Sequence, residues 1–374
     1  MNKRITLCGN TSWYLYNFRR STIEMLLLDG FSVHLISSQD EFTEKLVNMG
    51  CTFNRIEFKG GRLNPLKEIK LLTSFYLSLK ESKTDLLLNF TPKCNIYGSL
   101  SARILKLKVI NNISGLGSVF ISKSVLSFVV KILYRISQKN AYCVFFQNDE
   151  DMNFFLTERI IKEDQVRRIP GSGVNLGEFK ISQSDDDGVT RFLLAARLIY
   201  DKGIFYYAQA ARILRRKYGS QVEFFLMGFH DYENPSTVSK KEIEKWQSEG
   251  FLKYDGYSSN MKEKIKKFDC IVLPSFYREG VPKILLEAAG MGKPLITTDN
   301  TGCRDAVTDE VSGYLCQVKS TGSLVEKLDK IISLGHERRI EMGLKGRVKM
   351  ENEFDERIVL DAYRKAIFES LPNY

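Results

Sequence analysis

The sequence has few of the residues that mark disulfide frameworks, metal sites or disordered chains. Its 374 residues include only three histidines and seven cysteines, and the cysteines are scattered without a Cys-x-x-Cys pair. Neither a disulfide scaffold nor a zinc site is therefore indicated. Proline is also scarce, at eight residues, whereas 43% of the chain is hydrophobic and 27% is charged. This composition excludes a disordered or collagen-like chain and predicts a folded protein.

Long apolar runs are missing as well. The nearest candidate, residues 125–130, stops at Lys131, far short of the roughly 18 residues that a spanning helix needs. The first residues have only 5–8 as an apolar core and show no small-residue cleavage site, so no export signal is visible. We therefore expect a chain that does not cross a membrane and whose cysteines stay reduced in the cytoplasm.

Acidic residues are absent from one long stretch, residues 86–148, which nevertheless contains eight cations. Overall, residues 1–180 hold 25 Lys and Arg against 16 Asp and Glu, whereas the rest of the chain holds 30 against 29. A solvated neutral surface gains nothing by excluding carboxylates. We therefore expect an anionic partner for the N-terminal half.

A basic amphipathic helix is predicted inside that stretch. Apolar residues recur at helical spacing from 125 to 136, and a cationic flank accompanies them. Such a helix can lie in the headgroup layer of an anionic membrane, where each cation adds about 1 kcal/mol. An ordinary half-buried helix with a solvated basic side is the alternative. Nucleic acid is disfavoured, because no zinc finger, RNP-like strand or arginine-rich arm is present. The flank consists of Lys123, Lys131, Arg135 and Lys139.

The pattern along the chain predicts α/β architecture in two domains. Residues 5–8 predict a strand, 9–12 a turn containing Gly9, 18–27 a helix and 31–36 the next strand, which is the unit of a parallel sheet. The segment 184–188 lacks periodicity and predicts a linker in which Asp185, Asp186 and Asp187 form a solvated turn. Further strands are predicted at 86–88, 109–110, 143–146, 191–195, 222–227, 270–273 and 294–298, and helices at 203–218 and 282–291.

We therefore predict two Rossmann-like doubly wound domains, 1–180 and 181–354, that face a cleft. Ligands of such sheets bind outside the carboxyl ends of the strands. Arg197 and Lys202 stand where the strand at 191–195 meets the next helix, and a guanidinium with an ammonium suits a diphosphate. The loop after the strand at 270–273 carries Glu279, and Glu287 follows about two turns along the next helix. One carboxylate can reach a substrate hydroxyl and the other a ribose diol.

The segment SFYREGVPKILLEAAGMGKPLITTD resembles the signature of retaining family 4 glycosyltransferases of the GT-B fold, in which seven residues separate two glutamates. AARLIYDKG matches their Arg-x4-Lys phosphate pair. The resemblance extends to Gly9, to the loop at 171–175 and to a terminal segment, 355–374, whose helix in such proteins crosses back to the first domain. The sequence is most similar to bacterial enzymes that lengthen polyprenyl-diphosphate-linked oligosaccharides, N-acetylgalactosaminyl transferases included.

The resemblance implies a UDP-sugar donor, no metal and no cofactor. Arg197 and Lys202 would bind the donor diphosphate, Glu279 the transferred sugar and Glu287 the ribose. Gly9 would lie near the leaving phosphate. Backbone at the start of the 282–291 helix would add an anion site, because Gly280 permits close approach and Pro282 suits a first helical turn. The remaining backbone contacts would come from Val281 and, for the base, from Asp255, Gly256 and Tyr257.

One departure concerns a histidine that many members place beside the donor sugar. Here NNISGLGSVF offers Asn112 and Ser114 instead, so Ser114 or backbone would take that role. The resemblance also implies a peripheral protein on the inner face of the bacterial plasma membrane. Two alternatives stay open: a GT-B-type UDP-sugar 2-epimerase, which should show a cleft histidine, and a non-catalytic protein that binds anionic lipid.

Overall fold

The structure is a computed structural model that describes residues 3–58, 64–117, 125–232 and 234–371. Contacts divide the chain into two compact units. The first combines Met1–Ser172 with Arg357–Tyr374, and the second is Gly173–Glu356. The predicted linker at 184–188 therefore groups with the second unit, where Ser184 Oγ donates a hydrogen bond to Asp269 Oδ1 at 2.6 Å. Asp187, as expected for a solvated turn, is exposed and forms an ion pair with Arg191.

The first unit is built on a seven-stranded parallel sheet with the strand order β3-β2-β1-β4-β5-β6-β7. The strands are β1 (Arg4–Thr11), β2 (Ser32–Ser38), β3 (Thr52–Arg55), β4 (Leu86–Asn89), β5 (Lys108–Ile113), β6 (Cys143–Phe146) and β7 (Val166–Arg168). The helices are α1 (Ser12–Leu28), α2 (Thr43–Asn48), α3 (Pro65–Glu81), α4 (Ser99–Ile104), which a π-helical turn over Cys94–Gly98 precedes, α5 (Val125–Gln138) and α6 (Asp149–Thr157).

The predicted turn at 9–12 is wrong. Strand β1 continues to Thr11, which pairs with Ser38, and helix α1 begins at the next residue. Thr11 has extended backbone, and its side chain accepts a hydrogen bond from the Tyr14 amide, so it caps the helix directly. Gly9 therefore lies inside the strand, where an added Cβ would come within 2.9 Å of Leu15 Cδ2.

The second unit has a six-stranded parallel sheet with the order β10-β9-β8-β11-β12-β13. The strands are β8 (Thr190–Ala195), β9 (Val222–Met227), β10 (Lys253–Tyr254), β11 (Cys270–Leu273), β12 (Leu295–Thr298) and β13 (Gly313–Cys316). The helices are α7 (Ile204–Tyr218), α8 (Lys240–Ser248), α9 (Met261–Ile265), α10 (Lys283–Gly290), α11 (Thr321–Ser333) and α12 (His336–Glu353).

The terminal helix, α13 (Glu356–Ser370), packs into the core of the first unit. Tyr363 is fully buried there, with its ring 4.7 Å from that of Phe145 and its hydroxyl accepting a hydrogen bond from Asn112 Nδ2 at 2.5 Å. Arg364 Nε adds an ion pair with Asp29 at 2.8 Å. The last helix is thus part of the first unit's core.

All seven cysteines are buried free thiols. Burial raises the pKa of Cys94, Cys303 and Cys316 to about 12, so these thiols are held in their neutral form. Among the helices within the described ranges, none combines the length and the apolarity that crossing a bilayer requires.

Candidate active site

The site in the second unit begins where β8 ends. Arg197 follows the strand by two residues, and Lys202 closes a single 3-10 turn. Gly203 then takes a left-handed φ of 77° before helix α7. An added Cβ at Gly203 would lie 2.0 Å from the Pro274 carbonyl oxygen. Glycine is needed here because only its bare Cα lets this turn pack directly against the loop that follows β11.

That close packing brings Lys202 and Glu279 together across 77 positions of sequence. The Lys202 ammonium forms an ion pair with Glu279 Oε1, and both side chains are nearly buried, at 11% and 13% exposure. Ser275 Oγ donates a hydrogen bond to the same carboxylate oxygen at 3.1 Å. The Glu279 carboxylate is therefore held in place by a cation and a hydroxyl.

Arg197 joins this group through the ring of Tyr277. Its guanidinium lies 5.9 Å from the ring centroid, and the Lys202 ammonium lies 5.4 Å from the same centroid. Burial raises the pKa of the Tyr277 hydroxyl although the Arg197 cation opposes that shift, so the phenol stays neutral. Arg197 also contacts Asp231, whose Oδ2 is 3.2 Å from its Nη1.

Sequence reasoning missed Tyr277, Ser275 and Asp231. Tyr277 stood inside the resembling segment, but nothing in the pattern indicated that its ring faces two cations. Asp231 lies on a different loop, 34 residues beyond Arg197. No local signal could have paired them, since the register of β8 against β9 brings their loops together.

Glu287 has a different ion-pair partner from the residues of this group. It is the fifth residue of α10 and is largely buried, and its described ion pair is with Lys283 Nζ at 3.5 Å, one turn earlier on the same helix. Burial raises the pKa of the Glu287 carboxyl, and Lys283 opposes that shift. The helix starts one residue later than predicted, because Pro282 is its N-cap, with extended backbone at ψ 121°.

The backbone beside Pro282 is tightly packed. Gly280 and Val281 are both buried. An added Cβ at Gly302, which has a φ of 76°, would lie 1.5 Å from the Gly280 carbonyl oxygen. The close packing of these two loops therefore requires glycine at position 302, in the loop that follows β12, and the ligand approach expected at Gly280 stays a prediction.

The segment from Asp255 to Tyr257 directly follows β10. The Gly256 carbonyl accepts a hydrogen bond from the Gly228 amide at 2.8 Å. Gly228 in turn packs against Ala196, since an added Cβ at Gly228 would lie 1.8 Å from the Ala196 carbonyl oxygen. The loop that contains Gly228 therefore lies between this segment and Arg197. Asp255 pairs with Lys264 at 2.6 Å, and the exposed Tyr257 ring meets Phe229 edge-on.

The first unit places Ser114 just beyond the carboxyl end of β5. Its Oγ donates to the Phe90 carbonyl at 3.4 Å, and the Tyr14 hydroxyl donates to the same carbonyl at 3.3 Å. Asn112, by contrast, is fully buried and is hydrogen-bonded to Tyr363. Of the two candidates for the role of the missing histidine, only Ser114 is partly exposed.

Comparison with known proteins identifies the family. Residues 4–148 match the model of the family described as glycosyl transferase 4-like. Residues 178–349 match the model of the family described as glycosyl transferases group 1. The chain is a glycosyltransferase of the group 1 type.

Its predicted fold class is confirmed by solved neighbours of the GT-B fold. Anabaena HepE in complex with UDP and glucose is similar with a TM-score of 0.79 at 14% identity, and a Rickettsia africae glycosyltransferase with 0.76 at 18%; both matches cover 100% of each chain.

Two curated relatives are similar in sequence. The N,N'-diacetylbacillosaminyl-diphospho-undecaprenol alpha-1,3-N-acetylgalactosaminyltransferase of Campylobacter jejuni is 28% identical, and the alignment covers 97% of each protein. The UDP-Gal:alpha-D-GlcNAc-diphosphoundecaprenol alpha-1,3-galactosyltransferase of Escherichia coli is 25% identical over 72% of this chain and 73% of the relative.

The basic helix of this glycosyltransferase, α5, exposes apolar side chains and buries polar ones. Phe128 and Ile136 are 65% and 45% exposed, whereas Gln138 is fully buried. Of the predicted cationic flank, Lys123 lies outside the described residues and Lys139 is exposed. Lys131 and Arg135 both contact Glu158. The Lys131 ammonium lies 2.8 Å from the Glu158 carboxylate, and Arg135 Nη2 donates a hydrogen bond to the Glu158 backbone carbonyl at 2.7 Å.

In the part of the glycosyltransferase that the structure describes, no three His, Cys, Asp or Glu side chains form a group that could hold a metal ion. His230, which follows β9, stacks on Tyr232, and its Nδ1 lies 3.2 Å from the Val238 carbonyl. It therefore helps to fold its own loop.

Proposed function

We propose that this glycosyltransferase moves a hexose or an N-acetylhexosamine, with retention, from a UDP-sugar to a polyprenyl-diphosphate-linked saccharide during assembly of a bacterial surface glycan. One observation carries the donor half of the proposal: Arg197, Lys202 and Glu279 gather around Tyr277 beyond the carboxyl ends of β8 and β11. The Anabaena neighbour was solved with UDP, and the names of both curated relatives contain a diphospho-undecaprenol acceptor.

The chemistry of transfer explains why this site needs two cations. As the bond to the sugar breaks, the anomeric carbon becomes cation-like and negative charge collects on the departing diphosphate. Arg197 and Lys202 stabilise that charge by direct electrostatic contact. Glu279, held by Lys202 and Ser275, accepts hydrogen bonds from hydroxyls of the transferred sugar. A departing phosphate oxygen takes the acceptor proton on the same face, so no separate base is required.

The rest of the nucleotide is assigned by the same proposal. Glu287 binds the ribose hydroxyls, and the backbone of Asp255, Gly256 and Tyr257 holds the base. In the first unit, Gly9 lies close to the leaving phosphate and Ser114 takes the place of the usual histidine beside the sugar. The backbone that leads into helix α10 adds donors for the diphosphate. It comprises Gly280, Val281 and Pro282.

A membrane-anchored acceptor gives helix α5 its role in the proposal. The diphosphate end of a polyprenyl carrier stays at the bilayer surface, so the enzyme has to work there. The exposed Phe128 and Ile136 side chains can enter the headgroup layer, while Arg135 and Lys139 meet anionic lipid. In this proposal the protein is a peripheral enzyme that works on the cytoplasmic face of the plasma membrane.

The test of the donor site is UDP release from a panel of UDP-sugars, with and without a lipid-linked acceptor. Arg197→Ala and Lys202→Ala should each lower acceptor-dependent turnover by about 10²-fold, the scale of losing one oxyanion donor. Arg191→Ala is the matched control, because Arg191 lies on the same strand but pairs with Asp187 and Glu223. It should leave turnover within about twofold.

Near-normal turnover in both site variants would contradict the assignment of these cations. Inversion of the sugar at C2 without acceptor-dependent UDP release would instead indicate the epimerase. Lipid binding without any UDP-sugar turnover would indicate the non-catalytic protein.

A further inference from the structure

Both cations of the proposed donor site are already paired with carboxylates. Lys202 contacts Glu279, and Arg197 contacts Asp231. A diphosphate that binds these cations therefore meets two anions of the protein. The two pairs differ in burial: Lys202 and Glu279 are almost buried, whereas Arg197 and Asp231 are 37% and 27% exposed.

The two pairs also differ in what else holds the carboxylate. Glu279 receives a second hydrogen bond from Ser275 Oγ. For Asp231, the other described hydrogen bonds go to its backbone carbonyl, which accepts from the Thr237 hydroxyl and from the Asn234 amide at 2.8 Å. The Asp231 loop therefore keeps its own turn whether or not the side chain holds Arg197.

An exposed ion pair of this kind contributes little stability, because solvent screens it. A diphosphate offers the guanidinium a stronger, bidentate partner. The carboxylate and the diphosphate compete for the guanidinium, because they are like charges that repel each other at close range. Binding of the diphosphate therefore favours release of the carboxylate.

On the basis of the proposed function, we propose that Asp231 is the displaceable counter-ion of Arg197 and sets the enzyme's affinity for nucleoside diphosphates. Without donor, Asp231 neutralises the guanidinium and holds it in place. On binding, the diphosphate takes its place. Asp231 thereby weakens the binding of diphosphates in particular, whereas the nucleoside half of the ligand does not compete with it.

Calorimetric titration of the full chain with UDP and with uridine tests this inference. Asp231→Asn keeps the shape of the side chain and removes its charge, so UDP should bind about fivefold more tightly, as expected for loss of one exposed ion pair. Uridine binding should stay unchanged. Asp231→Ala should reproduce the effect, provided that its thermal unfolding matches that of the wild type.

Asp299→Asn is the matched control. Asp299 pairs with Arg304 at 2.8 Å in the loop that follows β12 of the same sheet, and its loss removes the same charge. This variant should leave UDP affinity unchanged. Unchanged or weaker UDP binding by both Asp231 variants, or equal tightening by Asp299→Asn, would overturn the inference. A wild-type protein that binds no UDP would refute the proposed function itself.

Discussion

Lys293 is a buried ionisable side chain outside the proposed donor site. It is 2% exposed, and its ammonium donates a hydrogen bond to the Lys266 carbonyl at 3.1 Å. Burial lowers its pKa to about 8, although Asp269 and Asp185 oppose that shift. The folded protein therefore releases this proton more readily than the unfolded chain does.

This shift predicts a specific dependence of stability on pH. Between pH 8 and about 10.4, the ordinary lysine value, the unfolded chain binds more protons than the folded protein, so the free energy of unfolding rises with pH. Lys293→Met removes this contribution. The unfolding free energy of the wild type minus that of the variant should therefore rise by about 2 kcal/mol from pH 7 to pH 10.

Urea unfolding at both pH values measures that difference. The exposed Lys241 offers the control, since Lys241→Met should give a difference that hardly changes with pH. If the difference in unfolding free energy between the wild type and Lys293→Met also stays constant from pH 7 to pH 10, burial does not destabilise this ammonium.

At the level of elements, helix α5 is anchored by buried amides as well as by apolar packing. Its Tyr134 side chain is buried in the apolar core of the first unit. Asn111 Nδ2 donates to Gln138 Oε1 at 2.6 Å, and Gln138 Nε2 donates to the Asn95 carbonyl at 3.0 Å. All three of these amide side chains are buried, whereas other apolar side chains of the helix, such as Phe128, are exposed.

The exposed apolar and basic side chains of α5 predict how the protein binds liposomes. Sedimentation should require anionic lipid and weaken as salt is added, because each cation near the surface contributes about 1 kcal/mol. Arg135→Glu combined with Lys139→Glu should lower the partition coefficient by at least about tenfold.

Lys240→Glu combined with Lys241→Glu, on the exposed side of α8, is the matched reversal in the second unit. Equal losses in the two double variants would mean that net charge, rather than helix α5, governs binding. Sedimentation with neutral lipid that salt does not weaken would contradict the electrostatic account as well.

On the scale of the whole molecule, the last helix of the chain completes the core of the first unit. Tyr363→Ala removes a fully buried ring and should destabilise that unit by about 3–5 kcal/mol, the range for large aromatic deletions. Tyr363→Phe keeps the ring and loses only the hydrogen bond from Asn112, so about 1 kcal/mol is expected. Denaturant unfolding measures both.

Limited proteolysis locates the effect. New cleavage sites in Tyr363→Ala should fall within residues 3–172, because helix α13 groups with that unit. Cleavage confined to residues 173–356 would contradict the assignment of the helix.

The fold class and the main strands could be predicted from local patterns in the sequence. Strands β6, β9 and β11 have the bounds that their apolar runs predict, because a buried parallel strand is apolar along most of its length. The two glutamates and the Arg-x4-Lys spacing likewise indicated the family, through the resemblance of the segments that carry them. The strands that escaped prediction are the four edge strands of the two sheets, and all of them except β13 are partly exposed; they are β3, β7, β10 and β13.

The contacts between distant side chains, in contrast, depend on how the elements pack. Lys202 and Glu279 pair because Gly203 lets two loops pack together, and Arg197 reaches Asp231 because β8 and β9 are neighbours. Helix α5 is held in part by a buried hydrogen bond from Gln138 to Asn95, residues that lie 43 positions apart. Local patterns report periodicity along one element, whereas these contacts are set by the order and register of strands far apart in the chain.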